Sequence, residues 1–314
     1  MKCPLARQRL SGRGFVYPFR VFFCCCIFAA LVSCYERIGV PLSPQPPVLV
    51  VEGGITTDSL QHTVRLTRTS GYFDTALASI PVSGAEVEVF DDSLRYPFDE
   101  SVTEAGLYQS RIAFSGRPGA TYRIEIQARL SASDPVRTYS AQETMPSRIR
   151  LDSVSSAYGK QRFGTGRGHG WSILLYATDP PEKNYYGYSF YVDGRSYNDS
   201  LRFITLVDDK WGEGIRLNGV PVVFFQSGKS KKMPVRSGST VTIKVMGYTQ
   251  AYFQWIGDIQ AATKPNIPVF SSVPANCRGN VSNGAFGYFA AYSVARDSTV
   301  LSAQDSIRWH RHHR

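Results

Sequence analysis

From residue 48 to residue 295 apolar and polar side chains repeatedly alternate in short runs, each closed by Gly, Pro, Asp or Ser. A period of two with one apolar face is the pattern of a half-buried antiparallel strand, and no other feature constrains this chain as much. Val87 and Val89 alternate with Glu86 and Glu88, and Tyr122, Ile124 and Ile126 alternate with Arg123, Glu125 and Gln127. Strands are expected over residues 48–52, 62–68, 86–90, 107–113, 122–128 and 137–141. Turn signals separate them at Val82-Ser83-Gly84, Asp91-Asp92, Gly116-Arg117-Pro118-Gly119 and Ser133-Asp134-Pro135. This spacing points to an immunoglobulin-like or transthyretin-like β-sandwich over residues 48–146.

Past Met145-Pro146 a second antiparallel β domain is expected over residues 147–300, with strands at 149–157, 171–178, 185–192, 201–207, 221–226, 241–248 and 286–295. One segment breaks the period. Residues 249–263 place Tyr252, Trp255, Ile256 and Ile259 at i, i+3, i+4 and i+7, the stripe of an amphipathic helix. Thr249 stands where an N-cap belongs and Lys264-Pro265 ends the run. The fold class is therefore mainly β, with one helix packed on a sheet.

The formal net charge of +10 raises the question of a polyanion partner. Lys2, Arg7, Arg9, Arg13 and Arg20 lie in residues 1–33, which hold no acid, and Arg308, Arg311 and Arg314 lie in the last seven residues. The body between is close to neutral. Its densest basic run, Lys229, Lys231 and Lys232, reads as a solvated hairpin tip, so nucleic acid is not an expected partner.

The basic start leads into an apolar run at residues 21–32, VFFCCCIFAALV, too short for a helix to cross a membrane and of the proportions of a signal peptide. Its end, Leu31-Val32-Ser33-Cys34, resembles the bacterial lipobox, which implies cleavage before Cys34 and lipidation of that residue. A short anchor or a simple secretory signal is the alternative. Residues 34–47 carry Pro41, Pro44, Pro46 and Pro47 and read as a tether. With Cys3, Cys24, Cys25 and Cys26 in the leader and Cys34 lipidated, Cys277 alone remains. It is expected to be a small buried hydrophobe, and no intramolecular disulfide is expected in the mature chain.

The catalytic patterns Gly-x-Ser-x-Gly, His-Glu-x-x-His and Cys-x-x-Cys are absent, as is a Walker loop. His62 and His169 read as solvent-exposed loop histidines, and the glycines at 164, 166, 168 and 170 as a mobile loop. Asp179, Glu182, Asp208, Asp209 and Glu213 are the carboxylates to weigh as acid/base pairs, although Asp and Gly between strands also make ordinary turns. Tyr185, Tyr186, Tyr188, Phe190 and Tyr191 read as core and cross-strand packing, with 186, 188 and 190 on one face. The tail at residues 301–314 ends in WHRHHR, three histidines with no framework to hold a metal. Neither a cofactor nor a metal site is expected.

Seven triplets run Asp, then Ser or Thr, then a mostly apolar residue, where composition predicts roughly one. They place Ser59, Thr75, Ser93, Ser153, Ser200, Ser298 and Ser306 behind an Asp. The pattern resembles the O-glycosylation consensus of Bacteroidota envelope proteins; the alternative is that Asp-Ser pairs are common at turns and strand entries.

The segments VVEGGITTD, HTVRLTRTSGYFD, PVSGAEVEVFDD, GLYQS, TYRIEI, ETMP followed by DSV, DPPEKNYYGYSFYVDG and NGAFGYFAAYSVA occur in this order. Together they resemble the domain-of-unknown-function family forty-two forty-nine of Bacteroidota lipoproteins. The resemblance implies a lipid-anchored protein of the cell envelope, at the outer membrane, often found beside TonB-dependent transporters. It brings no catalytic residues, and only Cys34 maps as a functional position. The long basic leader and the His/Arg tail depart from the family pattern. The expected function is a non-enzymatic accessory or binding subunit, held in the membrane by acylated Cys34 and partnered by a TonB-dependent transporter, with its ligand unspecified. A surface adhesin or structural module is the alternative, and a carbohydrate-active enzyme using Asp179, Asp208, Asp209 or Glu213 a third.

Overall fold

The first half of the chain is built from β1 (Leu49–Thr56), β2 (Thr63–Arg68), β3 (Ile80–Pro81), β4 (Glu86–Phe90), β5 (Arg95–Glu100), β6 (Leu107–Ser110), β7 (Thr121–Ala128) and β8 (Arg137–Thr144). The computed structural model describes residues 46–70, 79–160, 168–208, 214–227, 233–263, 277 and 279–302. The leader with Cys34, the tether as far as residue 45, and the positions Thr75, Gly164, Gly166, Asp209, Glu213, Lys229, Lys231, Lys232 and Ser306 lie outside these residues. The second half adds β9 (Arg150–Lys160), β10 (His169–Thr178), β11 (Tyr185–Val192), β12 (Arg195–Ser196), β13 (Thr205–Asp208), β14 (Arg216–Gln226), β15 (Thr240–Tyr248), α1 (Gln250–Ala262) and β16 (Phe286–Val300).

A mixed sheet runs in the order β12-β11-β15-β16-β1-β2-β6-β5-β4-β7-β8, with β3 paired to β2 and β13 to β11. A smaller sheet has the order β14-β10-β9. The seam between the halves is β16. Its first residues pair parallel with β1, from Val50 opposite Phe286 to Thr56 opposite Tyr292. Its remainder pairs antiparallel with β15, from Gly247 opposite Ser293 to Thr240 opposite Val300.

Three apolar clusters follow from this order. Alternate residues of β1, β2, β4, β7 and β8, among them Val51, Leu66, Val89, Ile124 and Tyr139, fill the first with Phe289 and Ala291 of β16. The second lies between the small sheet and one face of β11 and β15, where Trp171, Ile173 and Leu175 meet Tyr186, Tyr188, Phe190 and Ile243. The third joins Trp255 and Ile256 of α1 to the opposite face, represented by Tyr185, Met246, Tyr248 and Tyr288. The expected division of the aromatic strand, with residues 186, 188 and 190 facing one way and Tyr185 the other, is what separates the second and third clusters.

Helix α1 starts as its sequence requires. Thr249 is extended, and its side-chain oxygen accepts a hydrogen bond from the Tyr252 N–H at 3.2 Å. Thr249→Ala is expected to cost at least about 1 kcal/mol, since a helix N–H loses its acceptor and the buried Glu143 carboxylate loses one of its hydrogen bonds. The checking measurement is urea unfolding, in which the midpoint should fall at unchanged slope.

Two expectations are corrected. His62 is not solvent-exposed: it is 1% exposed, its Nε2 lies 3.0 Å from the Phe114 carbonyl, and its ring meets Phe114 edge-on at 4.6 Å. The period places it on the inner side with Val64 and Leu66. Residues 201–203 form a turn, so β13 begins only at Thr205. The structure also adds β5 at Arg95–Glu100, a strand with Pro97 in its middle.

Burial holds the His62 imidazole below its ordinary pKa, against the opposing effects of the Phe114 carbonyl and Asp58. A folded-state value below the unfolded one contributes stability above the unfolded pKa, and that stability is lost as pH falls through about 6.5 towards the folded value. The difference in thermal unfolding between the parent and His62→Gln should therefore move against the parent as pH falls through that window.

Candidate functional site

The end of β8 and the start of α1 meet beside a cleft of about 430 Å³. One wall is Gly119 with Met145, Pro146 and Ser147; the other is Glu182 to Tyr185 with Tyr248, Thr249 and Gln250. Backbone bonds fix the first wall, with Met145 N–H donating to Ala120 and Gly119 N–H donating to Met145, at 2.9 and 2.8 Å. The second wall is braced from behind by Asp179, which is buried. Its carboxylate accepts from the Tyr186 hydroxyl and, at 3.3 Å, from the Gly214 N–H. Lys183 stands 5.6 Å above the Tyr185 ring, a cation–π contact that orients both groups. Tyrosine rings, side-chain amides and hydroxyls thus converge on one concave surface, the mixture that small-ligand and peptide sites use.

Behind Thr249 lies a group that the sequence reading did not single out. Glu143 is 9% exposed, and its Oε2 accepts from the Tyr288 hydroxyl at 2.7 Å and from Asn280 at 3.4 Å, with Thr249 also bonded to the carboxylate. Burial raises its pKa above the usual carboxylate range despite these three hydrogen bonds. The rings of Tyr252, Trp255 and Tyr288 pack on one another at 4.8 to 5.7 Å, and Tyr248 and Tyr292 extend the group. Burial pushes the Tyr292 hydroxyl up to about 12 and raises those of Tyr248, Tyr252 and Tyr288. Rings this close leave no space for a guest between them, so this cluster is a packed wall and the cleft beside it is the open surface. A legible signal existed: in β8 the inner positions are Tyr139, Ala141 and then Glu143, a carboxylate in the apolar register.

Farther along the same face of β15 and β16, Arg296 holds Asp58 through two hydrogen bonds at 2.6 and 2.7 Å, and this contact lowers the Asp58 pKa. Lys244 sits opposite Arg296 in the ladder, and its ammonium is depressed by burial and by Arg296. Asp58 and Arg296 thus form an ion pair within the fold, with Lys244 as a second cation beside it.

Of the carboxylates weighed as acid/base pairs, Asp179 is a structural brace, Asp208 ends β13 opposite Tyr185, and Asp209 and Glu213 fall outside the described residues. Glu182 lines the cleft, and a hydrogen bond from Ser147 lowers its pKa. His169 begins β10 beside Tyr158, and Gly170 is inside that strand. Cys277 packs half-buried against the third cluster, where burial raises its thiol pKa. Ser59, Ser93, Ser153, Ser200 and Ser298 are all exposed. Ser59, Ser93 and Ser200 lie in bends or turns, whereas Ser153 and Ser298 stand inside β9 and β16. Among the described residues no group of three His, Cys, Asp or Glu side chains could hold a metal ion, and no helix is long and apolar enough to cross a membrane.

Among the described residues, a mainly β body with one capped helix and a polar, aromatic cleft is the class that fold and site define. The model of a domain of unknown function, DUF4249, matches residues 36–298, and the chain belongs to that family. No curated protein matches it.

Proposed function

We propose that this protein is a non-enzymatic binding subunit of the cell envelope, anchored by lipid on Cys34, whose cleft receives a ligand or a segment of a TonB-dependent transporter at the outer membrane. The observation that carries the binding reading is the cleft itself. It gathers Tyr185, Tyr248, Asn184 and Thr249, while the two buried carboxylates nearest to it, Asp179 and Glu143, are committed to hydrogen bonds within the fold. A hydrolase would need a carboxylate free and aimed at a substrate, and Glu182, the carboxylate on the cleft wall, accepts a hydrogen bond from Ser147. The lipobox-like Leu31-Val32-Ser33-Cys34 supports the anchor, and two or more acyl chains would make it stable.

The test is a photo-crosslinker at Gln250, on the cleft wall, in cells producing the full chain. Recovery of a TonB-dependent transporter, lost when the crosslinker is moved to exposed Leu94, supports the reading. Persistent failure to recover one, with the protein folded and acylated, counts against it. Cys34→Ala should abolish incorporation of labelled fatty acid and release the protein from membranes. The five exposed Asp-linked serines support O-glycosylation as a surface modification, and an intact mass explained by acyl groups alone would remove it.

A further inference from the structure

The parallel β1–β16 ladder gives the first half of the body two distinct ends. The proximal end is where the chain starts β1, pinned by the Val48–Thr69 hydrogen bonds at 3.0 Å. Its neighbours follow from register. Arg68 lies opposite Leu49, Phe286 opposite Val50 and Arg137 opposite Ala128, while Asn283 donates to the Thr138 carbonyl. The cleft is at the distal end, where Gly116 N–H bonds Thr56. Eight residues of β1 at about 3.3 Å each set the two ends roughly 26 Å apart.

The two ends differ in charge pairing. Five arginines of this half are matched by carboxylates: Arg65 by Glu104, Arg95 by Glu88, Arg111 by Asp99, Arg117 by Asp91 and Arg123 by Glu125. Arg68, Arg129 and Arg137 form no salt bridge among the described residues, and all three lie at the proximal end. Of the acids there, Glu104 is taken by Arg65, and Glu100 accepts from the backbone N–H groups of Gly84 and Gly106, leaving Glu86 and Asp134. Val102, Val136 and Phe286 stand exposed among them, at 101%, 49% and 49%. The distal end also exposes Leu60, Leu94 and Ile112, but its Arg111 and Arg117 are neutralised, and its Arg148 is held by the Thr57 hydroxyl at 3.1 Å. Unmatched arginines beside exposed apolar side chains fit an anionic lipid surface, with guanidinium groups at the headgroups and apolar tips below them.

We propose that the proximal end, through Arg68, Arg129, Arg137, Val136 and Phe286, rests on an anionic lipid surface and so presents the cleft away from the membrane. This rests on the lipid anchor at Cys34. Eleven residues lie between Cys34 and Pro46, a reach of at most about 40 Å, so an anchored body is held with this end within range of the bilayer.

The experiment uses the acylated full-length protein in vesicles of phosphatidylethanolamine and phosphatidylglycerol carrying spin-labelled lipid. A fluorophore is placed at Val136→Cys or, as the distal control, at Ile112→Cys, each with Cys277→Ser. Quenching at position 136 is expected to exceed that at position 112 by about three-fold or more, and to fall to the control level with Arg129→Glu and Arg137→Glu together. Flotation with the vesicles reports the anchor separately. Protein that floats yet shows equal quenching at both positions overturns the proposal while leaving the anchor intact. Protein that does not float removes the anchor, and the proposal with it.

Discussion

Gly287→Val is expected to abolish the native fold or to lower its stability by more than about 4 kcal/mol, the range reserved for backbone and core violations. Gly287 faces Val51 across the β1–β16 ladder with φ +89, and a Cβ there would collide with the Val51 carbonyl. Two penalties combine: a β-branched residue in the left-handed region, and an overlap with backbone, which cannot rotate away as a side chain can. Gly54 separates them, because it has no positive φ but a Cβ would strike the Ala290 carbonyl. Gly284 supplies the opposite control, with φ +72 and open space around it, so Gly284→Ala should cost only about 1 kcal/mol. Thermal unfolding of the three variants measures the order Gly287→Val worst, Gly54→Ala next and Gly284→Ala least. A near-native midpoint for Gly287→Val would mean that β16 does not lie against β1, and the seam between the two halves would have to be redrawn.

That seam is also where sequence reasoning stops. Alternation reports which side of a strand is buried, not which strand lies beside it. The runs at 86–90 and 185–192 therefore coincide with β4 and β11, while the pairing of Val51 with Gly287 across more than two hundred residues left no trace in either run. The run expected at 48–52 ends before Gly53-Gly54, whereas β1 runs on through these glycines to Thr56. The strand continues there because Gly54 lets Ala290 approach. β5 was not among the expected strands, and its Pro97 opposes Glu88 in the ladder, with its carbonyl accepting from the Arg111 N–H at 3.1 Å. Helix α1 was fully legible, since cap, stripe and terminating Pro act over neighbouring residues alone. The cleft was only partly so. Tyr185 and Thr249 were noticed for packing and capping, but nothing local announces that the turn at Gly119 closes over them.

Glu143→Gln is expected to stabilise the protein at neutral pH and to remove a pH dependence that the parent shows. The Glu143 carboxyl is buried beside Tyr288, Asn280 and Thr249, and desolvation outweighs their hydrogen bonds in raising its pKa. Among the described residues, no Lys or Arg is one of the groups that act on it. The sign follows from linkage. A folded-state pKa above the unfolded one means that the native state holds the proton more tightly, so this contribution is greatest below the unfolded value of about 4.3 and is lost as pH rises through the folded value. The amide keeps the shape, presents an oxygen to the Tyr288 hydroxyl and carries no charge to desolvate. Glu143→Leu is the discriminating partner, because it removes the charge but leaves the buried Tyr288 hydroxyl without its acceptor, a loss of about 1–3 kcal/mol. His62 bends the profile the other way, with stability falling as pH drops below about 6.5, so the Glu143 contribution is read as the difference between parent and Glu143→Gln at each pH. That difference should be small near pH 4 and grow towards pH 8. A difference that is flat or of opposite slope would show that Glu143 has its charge compensated in the folded protein, and a cationic neighbour would then have to be sought beside Thr249 at the back of the cleft.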